Sequence, residues 1–148
     1  MADLLEFTVL GLPVPKGSLK CVGRRGHHLI VNDDVATIVW QTLVTKAATA
    51  TWGLEPPMLG PVAVEVVLTL TRPRSVKPAD RPWPSLKSPH HGDIDKLART
   101  VLDALTGVVV KDDAQVVELT ATKVYPDTPH LDRLTEPGAV VRVIPVTD

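Results

Sequence analysis

The sequence predicts an α+β fold in one domain spanning residues 1–148, a small mixed or antiparallel sheet packed with two main helices. Three observations predict it. The run PVAVEVVLTLTRP, from Pro61, is dense in β-branched residues and is the strongest strand in the chain. Two stretches, one after Asn32 and one after Asp93, carry apolar residues near helical spacing. Strand-like runs flank these helices, and neighbouring strands are expected to pair antiparallel. A chain of 148 residues is long enough to bury one sizeable core, and no internal repeat suggests a second domain.

Taken in order, LLEFTVLGLPV is a first strand with Leu5, Phe7 and Val9 on one face. PVPKGSLKCVGRRGHH is broken by Pro13, Pro15, Gly17, Gly23 and Gly26 and reads as a loop or irregular hairpin. NDDVATIVWQTLVTKAATATW is the first helix, with Asn32 or Asp33 as N-cap. Its periodic positions are Val35, Ile38, Val39, Thr42, Leu43 and Lys46, and Trp40 is expected in the core. After the Pro61 strand, Pro73, Pro78, Pro82, Pro84 and Pro89 leave a long loop, a length that in compact domains commonly marks function or disorder.

The second helix runs from Asp93 to Leu105, with an apolar face of Ile94, Leu97, Ala98, Val101, Leu102 and Leu105 that can serve the core or a dimer. Thr106-Gly107 ends it, glycine being suited to the left-handed position after a helix. VVVKDDAQVVELTATKVY then reads as a strand, a turn at Lys111 to Asp113 and a longer strand from Gln115. GAVVRVIPV is the last strand.

Composition narrows the function classes. No apolar run is long enough to cross a bilayer, and the start has no basic segment ahead of its apolar stretch, so neither a membrane span nor a signal peptide is expected. The single cysteine, Cys21, rules out an intrachain disulfide and a cysteine-based zinc site and fits a cytoplasmic setting. Five aromatic residues are too few for a base-stacking platform. No phosphate-binding glycine loop, dinucleotide fingerprint or HExxH helix occurs. The net charge of −1 hides an uneven distribution. Lys16, Lys20, Arg24 and Arg25 lie in one stretch without acids, and Arg72, Arg74, Lys77, Arg81 and Lys87 in another with only Asp80. Two solvated loops would look like this, and so would polyanion-binding loops around an acidic centre.

That centre is HGDIDKLARTVLDALTGVVVKDDAQVVEL, from His91. Each acid in it has an ordinary explanation: Asp93 as N-cap, Asp95 as a first-turn charge matched to the helix dipole, Asp112-Asp113 as a turn pair. As a group they also fit a metal site. Within a helix Asp93 and Asp95 would diverge by about 200°. At a loop-to-helix boundary Asp93 can end an extended stretch while Asp95 opens the helix, and their oxygens can meet. The helix is about 20 Å long, and the strand after Gly107 can carry Asp113 back towards its start. Converging carboxylates repel unless a divalent cation sits between them. Mg²⁺ takes oxygen ligands and suits phosphate chemistry, so the pattern points to an Mg²⁺-dependent nuclease working through metal-activated water.

GDIDKLARTVLDALTGVVVKDDAQVVELTATK, Gly92 to Lys123, also resembles the core signature of the RusA-type Holliday junction resolvases. The elements are Asp93 and Asp95, the Leu-Asp-Ala-Leu segment 102–105, Gly107, Asp112-Asp113, Gln115-Val116 and Lys123, in order and at the right spacing. LGLPVPKGSLK resembles that family's N-terminal strand and Pro-x-Pro-Lys loop. The resemblance implies a homodimeric endonuclease of phage or prophage type that binds four-way junctions and other branched DNA. With Mg²⁺ it would nick two opposed strands in recombination and repair. Asp93, Asp95 and Asp113 would hold the metal, with Asp112 the bystander of its pair.

Two positions depart from the pattern. The family's asparagine after the acid pair is Lys96, and its lysine four residues after the second acid is Arg99. Arginine keeps the charge and can grip phosphate but does not readily release a proton, so a general acid or base role for it is doubtful. Lys96, Arg99 and Lys123 are expected to orient phosphate or balance charge. Lys16, Lys20, Arg24 and Arg25 are expected to contact DNA, and His90 and His91 to contact DNA or only to line a loop. Asp103 is expected to pair with Arg99 or a neighbouring chain. The rival reading is a branched-DNA-binding module of phage origin that does not cut.

Overall fold

In the computed structural model, the described residues are 4–17, 20–22, 29–31, 35–85 and 92–147. A four-stranded sheet has the order β1-β6-β4-β5, from β1 (Leu5–Leu10), β6 (Gly138–Pro145), β4 (Val62–Thr69) and β5 (Val116–Val124). Helices α1 (Val35–Trp52) and α2 (Ile94–Leu105) cover one face, and the short strands β2 (Lys20–Val22) and β3 (Leu29–Val31) pair as an antiparallel hairpin. This is the expected α+β class, and the sheet is the mixed version. No helix among the described residues is long and apolar enough to cross a membrane.

β1 alternates strictly between buried and exposed positions, while β4 and β6 also bury Val67 and Val140 on the opposite face. Leu5, Phe7 and Val9 of β1, Val62, Val64, Val66 and Leu68 of β4, and Ala139, Val141 and Val143 of β6 form one buried cluster. Trp40, Val44 and Ala48 of α1 and Leu97, Val101 and Leu105 of α2 complete it. The apolar face of α2 therefore serves the core.

Three expectations need correction. First, α1 does not bury its periodic apolar positions. Thr37, Trp40, Val44 and Ala48 face inward, while Val35, Ile38, Val39, Thr42, Leu43 and Lys46 are exposed. Lys46 is the one charged residue in this helix, so its pattern carries almost no amphipathic signal. The choice falls to packing. Trp40 has the largest apolar surface to hide, small Ala48 lets the helix approach, and the Thr37 hydroxyl is satisfied by donating to the Pro15 carbonyl at 3.2 Å.

Second, Val108 to Val110 form a tight turn rather than a strand. Gly107 turns the chain at φ +88°, and the Leu105 carbonyl accepts from the amides of Val108, Val109 and Val110. Val109 and Val110 plug the core instead of joining the ladder. Third, β4 and β5 pair in parallel, because the chain leaves β4, crosses through α2 and re-enters the sheet in the same direction.

The outer sheet face carries an ion cluster. Glu6, Arg142 and Glu65 are cross-strand partners on β1, β6 and β4. The Arg142 guanidinium donates to both Asp132 oxygens at 2.9 and 2.8 Å and to Glu6 at 2.6 Å. These hydrogen bonds hold the Asp132 carboxyl below its usual range. A depressed folded-state value stabilises the protein above the unfolded carboxyl range of about pH 4 and loses that contribution as pH falls through the lower folded value. Asp132→Asn is accordingly expected to lower the melting temperature at pH 7. The gap to wild type should close on acidification below about pH 4, which melting curves across that range check.

Candidate functional site

The site is built where three segments distant in sequence meet. The first is the start of α2. Gly92 has φ +72°, Asp93 is extended at φ −81° and ψ 148°, and the helix begins at Ile94. Asp93 thus occupies the N-cap position, but its side chain makes no capping hydrogen bond. Asp95 lies in the first turn, one residue inside the helix. The expected boundary between an extended Asp93 and a helical Asp95 is what forms.

The second segment is the loop after β1. The Lys16 amide donates to the Lys96 carbonyl at 2.9 Å, tying this loop to the first turn of α2. Pro15 packs so tightly on Gly92 that an added Cβ there would lie 2.4 Å from the proline Cγ. Glycine at 92 is therefore required twice, for its left-handed backbone and for the approach of Pro15. Gly92→Ala is expected to cost about 1–2 kcal/mol for the backbone conformation alone, more with the clash. Urea midpoints measure the loss, and DNA nicking should fall with it because Lys16 moves away from α2.

The third segment is a 3₁₀ turn (Asp113–Gln115) ahead of β5. Asp112 caps it, accepting from the Ala114 amide at 2.8 Å. The Gln115 amide oxygen accepts from the backbone of Lys111 and Asp112, and its nitrogen donates to the carbonyls of Met58 and Gly60. Four hydrogen bonds from one side chain thus fasten the turn to the entry of β4. A bulge follows: Val62 pairs with Val116, but Ala63 pairs with Glu118. The extra residue shifts the alternation of β5 by one, so Leu119, Ala121 and Lys123 share the helix-side face with Val64, Val66 and Leu68.

Together these segments enclose a cleft of about 550 Å³ lined by Lys16, Asp95, Lys96, Arg99, Asp113 and Leu119 among others. Two carboxylates eighteen positions apart in the chain thus face one space with three cationic side chains. Asp93 is exposed beside them at the N-cap and is not among the lining residues. No group of three His, Cys, Asp or Glu side chains among the described residues is close enough to hold a metal ion. Lys123 is half-buried further along β5, on the same sheet face but outside the cleft.

Asp103 departs from expectation. Its carboxylate pairs with the Lys16 ammonium at 3.1 Å, because the docked loop brings that ammonium alongside α2. Lys20 lies in β2, and only its backbone is described. Arg24, Arg25, Lys87, His90 and His91 lie outside the described residues. Of the cations in the proline-rich loop, Arg72 is taken up structurally. It forms an ion pair with Asp127, donates to the Arg81 carbonyl and stacks 4.1 Å from the centre of the Tyr125 ring.

The model of the endodeoxyribonuclease RusA family matches residues 11–132, most of the chain. The chain belongs to the RusA family. The match takes in the Pro15–Lys16 loop, α2 with its acid pair, the 3₁₀ turn and β5, all the segments that build the cleft. Membership makes the protein a DNA endonuclease of the kind tied to Holliday junction resolution in recombination. The chain is also 30% identical over 135 residues to the uncharacterized protein YqaN of Bacillus subtilis (strain 168), an alignment covering 88% of this chain and 94% of that protein. Measured against the family's motif, the departures Lys96 and Arg99 both line the cleft.

Proposed function

We propose that this cleft hydrolyses phosphodiesters at four-way junctions and related branched DNA with Mg²⁺, in the cytoplasm. The observation that carries the reading is the meeting of Asp95 and Asp113 with Lys16, Lys96 and Arg99 in one cleft. The donor set fits the ion. Mg²⁺ is commonly held by one or two carboxylates together with substrate phosphates rather than by an all-protein cage. Asp95 and Asp113 would supply two carboxylates, and Asp93, exposed at the N-cap outside the cleft, would have to move towards them to add a third. When bound, the ion supplies water activation and neutralisation of charge at the leaving oxygen.

The protein's own groups do the rest. Arg99 grips non-bridging phosphate oxygens through its planar guanidinium, and Lys96 adds a point charge beside it. Both stabilise the charge that builds up as the phosphodiester is attacked. Lys20, Arg24, Arg25 and Lys123 extend the contact along the DNA backbone, which such contacts position without reading sequence.

Opposed cuts in one junction need two clefts, which a twofold homodimer supplies. With the apolar face of α2 committed to the core, the outward stripe of α1 is the candidate contact. Val35, Ile38, Val39 and Leu43 are exposed there and carry no charge to repel their own copies.

The test is a labelled four-way junction beside a linear duplex of the same sequence, with Mg²⁺ or with EDTA. Paired nicks at symmetric positions in the junction alone, abolished by EDTA, are expected. Tight junction binding without any nick would replace the enzyme with a branched-DNA-binding module.

A further inference from the structure

The Lys16 side chain is held at three levels. Its backbone amide is bound to the Lys96 carbonyl at 2.9 Å, and the carbonyl before it accepts from the Thr37 hydroxyl at 3.2 Å. At its tip, the ammonium lies 3.1 Å from Asp103 Oδ2 and 3.5 Å from Gln41 Oε1. Asp103 stands on α2 two turns past Asp95, and Gln41 stands on α1, so the tip is gripped from both helices. The two ion-pair side chains are only 17% and 24% exposed. Water screens this pair less than a surface one, and the geometry is correspondingly better defined.

A lysine on a loop normally samples many rotamers, and fixing it costs up to about 2 kcal/mol of side-chain entropy. Lys16 also lines the cleft that holds Asp95, Asp113 and Arg99. We infer that Asp103 and Gln41 are positioning residues: they hold the side chain of Lys16, which lines the cleft, in one orientation, from which its ammonium meets a phosphate oxygen of the bound DNA strand. An ammonium has three N–H donors, so one can serve a carboxylate and a phosphate together. Asp103 also balances the Lys16 charge before DNA arrives. Arg99 stands where the family has lysine, and this arrangement gives the cleft a fixed ammonium from a different segment.

The inference rests on the nuclease reading, and one set of measurements separates the two. Single-turnover nicking rate, junction Kd and melting temperature are measured for wild type, Asp103→Asn, Asp103→Glu, Gln41→Ala, Lys16→Met and the Lys16→Met/Asp103→Asn double variant. Asp103→Asn is expected to slow nicking by about ten- to a hundredfold, the range for displaced reacting groups, without weakening junction binding. Asp103→Glu should recover part of the rate, and Gln41→Ala should slow it less. The double variant should be no slower than Lys16→Met alone, as coupled residues require.

A wild-type rate in Asp103→Asn, even with a lowered melting temperature, would make the ion pair a structural staple and overturn the inference. Multiplying defects in the double variant would also overturn it. Should Asp103→Asn fail to fold, Gln41→Ala and Asp103→Glu carry the same comparison. A wild type that nicks no DNA would bring down the nuclease reading itself, and this inference with it.

Discussion

Asp95→Asn and Asp113→Asn are each expected to lower junction nicking by about 10²–10³-fold, the scale on which single transition-state-stabilising groups act, while the fold is kept. Both acids are exposed and face one cleft, outside the buried cluster, so the substitutions leave the core untouched. Their effect on stability should be small. The two carboxylates repel one another, but Lys16, Lys96 and Arg99 in the same cleft and, for Asp95, the start of α2 favour their charge, so without Mg²⁺ either asparagine should melt near the wild-type temperature. A ligand that binds only the folded state raises stability by RT ln(1 + [L]/Kd). Wild type should therefore gain melting temperature on adding Mg²⁺, and both variants should lose most of that gain. Asp112→Ala is the contrast. Its side chain caps the 3₁₀ turn, so it should cost about 1 kcal/mol of stability, as lost caps do, and leave a Mg²⁺ response. Differential scanning fluorimetry with a Mg²⁺ titration distinguishes the three. A full Mg²⁺ shift in both Asp95→Asn and Asp113→Asn would show that the acids do not hold the ion.

These acids were legible in the sequence because their evidence is local. The aspartates straddle a helix start marked by a glycine, and Gly107 marks the helix end within the same stretch. The strands β1, β4 and β6 were legible for a similar reason: alternation and β-branching are properties of a few adjacent residues. What was not legible depends on pairing across the chain. The inward face of α1 was missed because a nearly uncharged helix does not announce which side is wet. The valines 108–110 have strand composition, but the left-handed Gly107 turns them into the core first. The parallel pairing of β4 with β5 follows from the crossover through α2, not from either strand. The bulge opposite Val62 and Ala63 decides that Leu119 rather than Glu118 faces the helices, and nothing in the local alternation of β5 marks it. The Lys16–Asp103 pair was missed for the same reason: i, i+4 spacing favours Arg99, and only the docked loop brings Lys16 closer.

Gln115 shows how such a long-range contact governs the site, and Gln115→Ala is expected to be the most damaging change outside the acids. Its side chain accepts from two amides of the turn at 2.9 and 3.0 Å and donates to two carbonyls before β4 at 2.8 and 2.9 Å. Each net hydrogen bond contributes about 1 kcal/mol, but Gly60, Lys111 and Asp112 are exposed and water can replace part of what is lost. A destabilisation of about 2 kcal/mol is therefore expected, below the sum of four bonds. The larger consequence falls on Asp113, two residues earlier in the same turn. Freed from the β4 entry, the turn no longer fixes that carboxylate opposite Asp95, and nicking should fall by about tenfold or more, as it does when a supporting group of a metal ligand is lost. Gln115→Glu sharpens the test. It keeps the two acceptor contacts to the amides of Lys111 and Asp112 but sets a carboxylate against the carbonyls of Met58 and Gly60, so it should fail nearly as badly as alanine. If Gln115→Glu instead matches wild type in urea midpoint and nicking rate, the bonds to Met58 and Gly60 do not hold the turn, and Asp113 is fixed by β5 alone.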